Sequence, residues 1–115
     1  MKQTELFAER KIADAVAADH IVLYALADFQ LRGKTLAERE LPLDRLRGAL
    51  RRAAEVFGVA ELSDDDAVST IQILGGRVQR VPPYVAKHPF RITIPTAVAE
   101  RAKQFFQDYN ADKGG

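Results

Sequence analysis

Ser63-Asp64-Asp65-Asp66-Ala67-Val68-Ser69-Thr70-Ile71-Gln72-Ile73-Leu74-Gly75-Gly76-Arg77-Val78-Gln79-Arg80 is the stretch on which the fold turns. Its opening suits a helix: Ser63 can cap, and three aspartates favour the positive end of a helix dipole. Its second half argues the other way. Val68, Thr70, Ile71 and Ile73 are β-branched, a bias toward strand, and Gly75-Gly76 is a two-residue hairpin signal. The expectation is therefore a strand over 69–74, turned by the glycines into a return strand over 77–81.

Upstream, helical spacing dominates. Leu43, Leu46, Leu50, Ala53, Ala54 and Phe57 recur at three-four intervals, which predicts a long helix over 42–57. Phe57-Gly58-Val59 reads as its stop, with glycine supplying a left-handed residue. Thr35-Leu36-Ala37-Glu38 matches a capping box and predicts a short helical turn before Pro42. Earlier still, Ile12, Val16, His20, Leu23 and Ala27, with Tyr24 beside them, predict a helix over 4–31 that Gly33 ends. Its length would be about 40 Å at 1.5 Å per residue.

Downstream, Pro82-Pro83 ends the return strand or confines it to an edge. Phe90-Arg91-Ile92-Thr93-Ile94 alternates apolar and polar residues, the period of a half-buried strand. Pro95-Thr96 then opens a last helix, with Thr96 as its cap and Val98, Ala102, Phe105 and Tyr109 on its buried face. The expected fold is α+β: two long N-terminal helices, a small antiparallel β-hairpin or sheet, and a C-terminal helix. One domain is expected over 1–112, with 113–115 a frayed tail.

Composition narrows the chemistry. The 115 residues are 47% hydrophobic and 29% charged, an ordinary globular mixture able to bury one core. No cysteine is present, which excludes disulfides, thiolate metal sites and cysteine catalysis. No apolar run approaches the ~20 residues of a membrane span. The polar start, Met1-Lys2-Gln3-Thr4-Glu5, lacks a secretory pattern. The expectation is a cytoplasmic protein without a membrane.

Formal net charge is only +1, but its distribution is uneven. Residues 55–66 hold five acidic side chains (Glu55, Glu61, Asp64, Asp65, Asp66) and no basic one. Residues 67–99 hold four basic side chains (Arg77, Arg80, Lys87, Arg91) and no acidic one. With Tyr84 interleaved, that second block suits contact with a phosphate backbone, Tyr84 stacking or wedging. Arg47, Arg51 and Arg52 add charge from the second helix. Helices followed by a basic β wing resemble a winged-helix layout, which implies a nucleic-acid-binding role for these eight residues. Spacings such as Asp44–Arg47 and Arg51–Glu55 also fit ordinary ion pairs along a helix. The closing Arg91-Ile92-Thr93-Ile94-Pro95 and Val98-Ala99-Glu100-Arg101-Ala102-Lys103 resemble the strand and first helix of a ribbon-helix-helix protein. That likeness stops there, because the second helix such a fold requires is not found before Gly115.

Catalytic patterns are not assembled. His20 lies on an apolar stripe, as a structural histidine would, and His88 stands apart in an expected turn. Neither Ser63 nor Ser69 sits in a nucleophile elbow, and Gly75-Gly76 lacks the lysine-serine pair of a phosphate loop. The aspartate triplet lacks calcium-loop spacing. The expectation is a non-enzymatic binding protein with no cofactor and no metal site. Its first reading is nucleic-acid binding; its alternative is a protein-binding, assembly or accessory role. Self-association as a homodimer or homo-oligomer is expected, with Tyr24, Phe29, Leu31, Phe106 and Tyr109 as interface candidates.

Overall fold

The computed structural model describes residues 18–82, 84 and 90–114. Helix α1 occupies 18–31. Ile21, Val22, Leu23, Ala25, Leu26, Ala27 and Phe29 are all buried, so this helix is apolar nearly all round rather than along one stripe. Such a helix belongs at the centre of a core. It ends as expected, with Gly33 left-handed at φ 84°. The part of the expected helix before residue 18 lies outside the described residues.

The following segment departs from its capping-box reading. No helix forms over 35–38. Ala37 instead makes an isolated parallel bridge to Ile94, and the Glu38 N–H donates to the Ile94 carbonyl at 2.8 Å. Strand β1 (Glu40–Pro42) comes next, then a 3-10 turn (Leu43–Leu46) and helix α2 (Arg47–Phe57). The expected helix over 42–57 therefore starts later. Pro42 is extended at φ -70° and ψ 147°, and it sits on an edge strand, where proline is tolerated. Helix α2 closes as read. Gly58 is left-handed at φ 68°, and Val59 N–H reaches back to the Ala54 carbonyl at 3.0 Å.

Helix α3 (Asp64–Leu74) overturns the strand expected over 69–74. The Ser63 hydroxyl oxygen accepts the Asp66 N–H at 3.1 Å, the cap the opening residues suggested. Ala67, Val68, Thr70, Ile71 and Leu74 are buried, a helical rather than alternating pattern. The energetics favour this outcome. Each β-branched residue costs a helix at most about 0.7 kcal/mol. The cap returns about 1 kcal/mol. Burying a residue such as Ile71 or Leu74 is worth roughly 1.5–3 kcal/mol. Thr70 satisfies its buried hydroxyl by donating to the Asp66 carbonyl at 2.8 Å.

Gly75-Gly76 is accordingly a helix stop and not a hairpin turn. Gly75 is left-handed at φ 111°, and its N–H donates to the Gln72 carbonyl at 3.0 Å. Gly76 N–H reaches the Ile71 carbonyl at 2.8 Å, completing the motif seen at Gly58. A Cβ on Gly76 would lie 2.4 Å from Ile71 Cγ2, so only glycine fits there.

Strand β2 (Arg77–Arg80) pairs antiparallel with β3 (Phe90–Thr93), which also pairs antiparallel with β1, giving the order β1-β3-β2. The return strand thus finds its partner after residues 81–89, not before Gly75. Leu41, Ile92 and Val78 form one cross-strand row toward the core; Glu40, Thr93 and Arg77 form the adjacent outward row. Helix α4 (Thr96–Gly114) follows, burying Val98, Ala99 and Ala102. The protein is thus α+β, with four helices and a three-stranded antiparallel sheet among the described residues. No helix among them is long and apolar enough to cross a membrane.

Candidate nucleic-acid interface

The eight residues proposed from the sequence meet different fates. Arg47 donates through Nη1 to Glu61 at 3.0 Å and to the Leu62 carbonyl at 2.9 Å, and through Nη2 to Asp64. Arg51 reaches Glu61 at 3.5 Å. Arg52 donates to Asp28 of α1 through Nε at 2.9 Å and Nη2 at 2.6 Å. The acidic block before α3 and one aspartate of α1 thus engage all three helix arginines. Their partners lie on α1, on the approach to α3 and at its first residue, and none of the three lines the groove over the strands.

The strand arginines separate by the two-residue period. Arg77 and Arg91 stand on the outward face, in the rows Arg77–Thr93–Glu40 and Gln79–Arg91–Pro42. Arg80 is on the inner face, with its guanidinium carbon 5.0 Å from the centroid of the Phe90 ring. Tyr84 is 89% exposed. Lys87 and His88 lie outside the described residues. An open groove runs over the outward face, lined by Gln72 of α3, Arg77, Gln79, Arg91, Thr93 and Glu40.

Glu38 organises one end of this face from a distance of 58 residues along the chain. It is a non-glycine residue at positive φ, 59°. Its Oε2 accepts the Thr96 backbone N–H at 2.7 Å and the Thr96 hydroxyl at 3.2 Å. Its Oε1 accepts from Arg77 Nη2 at 3.3 Å. Thr96 is therefore the first residue of α4 and is capped by Glu38, rather than acting as the cap itself. The Thr96 backbone hydrogen bond, aided by the Thr96 hydroxyl and Arg77, holds the Glu38 carboxyl below the usual carboxylate range against a smaller opposing effect of burial. The Arg77–Glu38 pair is solvent-exposed, so it is weak and exchangeable.

Sequence reasoning passed over a second group of cations. Lys34, Arg39 and Arg45 line an open groove beside β1, together with Thr35 and Glu40. None of the three has an ion-pair partner among the described residues. The signal was available: residues 32–52 carry seven basic and three acidic side chains. It was obscured because these residues span a loop, a strand and two helical pieces.

The expected partner-binding residues also divide. Phe29 is buried in the core and is not available to a partner. Leu31 is exposed. Tyr24, Phe106 and Tyr109 join His20, Phe57 and Phe105 in a half-buried aromatic cluster between α1, α2 and α4. His20 lies 5.0 Å from Phe105 and 6.4 Å from Phe57, and Tyr24 lies 4.9 Å from Phe106. Among the described residues, no group of three or more histidine or acidic side chains could hold a metal ion. Comparison with protein-family models, curated proteins and solved structures finds no match to this chain.

Proposed function

We propose that this chain is a winged-helix-like module that binds nucleic acid through the outer face of its sheet. The element order supports the first part: α1, β1, α2, α3, β2 and β3, with β3 between its two partners, is the order in which a winged helix would arrange its elements. The observation that carries the second part is Arg91. It is outward-facing, has no acidic partner among the described residues, and shares its groove with Arg77, Gln79 and Gln72. Guanidinium groups and side-chain amides are the usual donors to phosphate and sugar oxygens.

Helix α3 is a poor reader of bases in this scheme. Its outer face carries Asp65, Asp66, Ser69, Gln72 and Ile73, and the carboxylates would meet phosphates first. Contact is therefore to the backbone, with modest sequence preference. The test is anisotropy of labelled duplex DNA and single-stranded RNA across a salt series. Arg77→Ala/Arg91→Ala is expected to weaken binding about tenfold or more and to flatten the salt dependence. No binding by the unaltered protein at low salt and micromolar concentration overturns the reading.

The aromatic cluster favours a second reading, a self-associating or partner-binding accessory module. The cluster's six rings, from α1, α2 and α4, pack together and are each only partly buried. A strictly monomeric mass by light scattering at high concentration counts against its self-associating form.

A further inference from the structure

We infer that the groove beside β1, lined by Lys34, Arg39 and Arg45, is a second contact for the phosphates of a nucleic-acid strand, extending the footprint of the outer sheet face. This inference rests on the nucleic-acid reading above and adds a site to it.

Three separate backbone pieces bring the cations together. Lys34 follows the left-handed Gly33 that ends α1, Arg39 leads into β1, and Arg45 projects from the 3-10 turn. All three are exposed, and Glu40 is the single carboxylate lining the groove. The contrast with α2 is instructive, since each of its candidate arginines has a carboxylate in contact. Three like charges gathered without such partners create a local field that attracts a polyanion. Two planar guanidiniums suit the paired oxygens of a phosphodiester, and the Thr35 hydroxyl can donate as well.

Continuity selects a strand as the occupant. Glu40 lines both this groove and the one over Arg77 and Arg91, and Pro42 of the first groove is paired directly with Arg91 of the second. A chain of regularly spaced phosphates can follow both, whereas a free phosphate would occupy one. The path crosses β1, at the opposite edge of the sheet from β2.

The experiment compares salt slopes of binding to one labelled duplex for the unaltered 115-residue chain and three variants of it. Each phosphate contact contributes about 0.9 to the slope of log K against log salt on duplex DNA. Lys34→Ala/Arg39→Ala/Arg45→Ala is expected to lower the slope by about two to three contacts' worth, while Arg39→Lys/Arg45→Lys keeps it. Circular dichroism and thermal melting confirm that the variants fold, as the exposed positions lead one to expect. An unchanged slope in the alanine variant, while Arg77→Ala/Arg91→Ala lowers it, overturns the second contact and leaves the sheet-face reading intact. Chemical-shift changes at Arg39 and Arg45 with inorganic phosphate alone, without an effect of their removal on duplex binding, assign the groove to a small anion and also overturn it. Failure of the unaltered protein to bind any duplex or single strand removes both readings.

Discussion

Arg47 and Arg91 are both half-buried arginines on regular secondary structure, and they have opposite electrostatic environments. Arg47 is surrounded: Glu61, Asp64 and the Leu62 carbonyl take its donors, and its side chain is only 22% exposed. Arg91 stands in an open groove beside Gln79 and Thr93 with no carboxylate partner among the described residues. The difference teaches that charge in a sequence block is not charge on a surface. Glu61 and Asp64 take up Arg47 and Arg51 of the helix that precedes them, Asp28 of α1 takes Arg52, and no carboxylate among the described residues pairs with Arg91.

The sharpest way to break this comparison is to exchange the two sets in a binding assay. Removal of Arg77 and Arg91 is expected to dominate the loss of nucleic-acid affinity. Arg47→Ala, by contrast, should leave affinity and salt slope nearly unchanged while lowering stability by about 1–2 kcal/mol, because it strands a partly buried carbonyl and two carboxylates. A loss of affinity from Arg47→Ala as large as that from Arg91→Ala, in a protein that still melts cooperatively, would erase the distinction.

The outward face depends on where α3 stops, which offers a second test. Gly76→Ala pushes a Cβ against the stiff side chain of Ile71 immediately before β2 begins. A cost of about 1–3 kcal/mol is expected, read as a thermal midpoint lowered by several degrees. Binding measured well below that midpoint should weaken too, since Arg77 follows directly. A midpoint within a degree of the unaltered protein would show that the Gly76–Ile71 contact relaxes freely.

The smallest effect concerns Glu38, which ties Arg77 to the start of α4. Its folded-state carboxyl titrates below the ordinary carboxylate range, so its contribution to stability is present above that range. That contribution is lost as pH falls through the depressed value. Glu38→Gln should therefore lower the urea midpoint at neutral pH, and the gap to the unaltered protein should close under acid. A gap of constant size between pH 7 and pH 3 would mean that the carboxylate charge is not what caps α4.

Several elements were legible because their signals are local. The glycines after α1 and α2, the alternation of Phe90 to Ile94 and the buried face of α4 depend on neighbours a few residues apart. Strand β1 was not legible, since three residues ending in proline carry no alternation worth reading. Helix α3 was misread because branched side chains and a glycine pair outvoted a cap and a core-facing pattern. Arg77, Arg80 and Arg91 were visible as a charged block, but their division between two faces needed the strand register. Lys34, Arg39 and Arg45 were invisible as a group, because only the turn after α1 and the pairing of β1 with β3 bring them to one groove.

The sequence by itself determined the helix stops at Gly33 and Gly58, the apolar faces of α2 and β3, the absence of cysteine chemistry and the placement of opposite charge in successive blocks. These follow from side-chain volume, backbone freedom and short-range spacing. Tertiary structure alone decided that Glu38 caps a helix 58 residues away, that α2's arginines are neutralised and that Arg91 is not. The reason is that burial and ion pairing are properties of neighbours in space, and a chain folded around α1 chooses those neighbours by packing rather than by order.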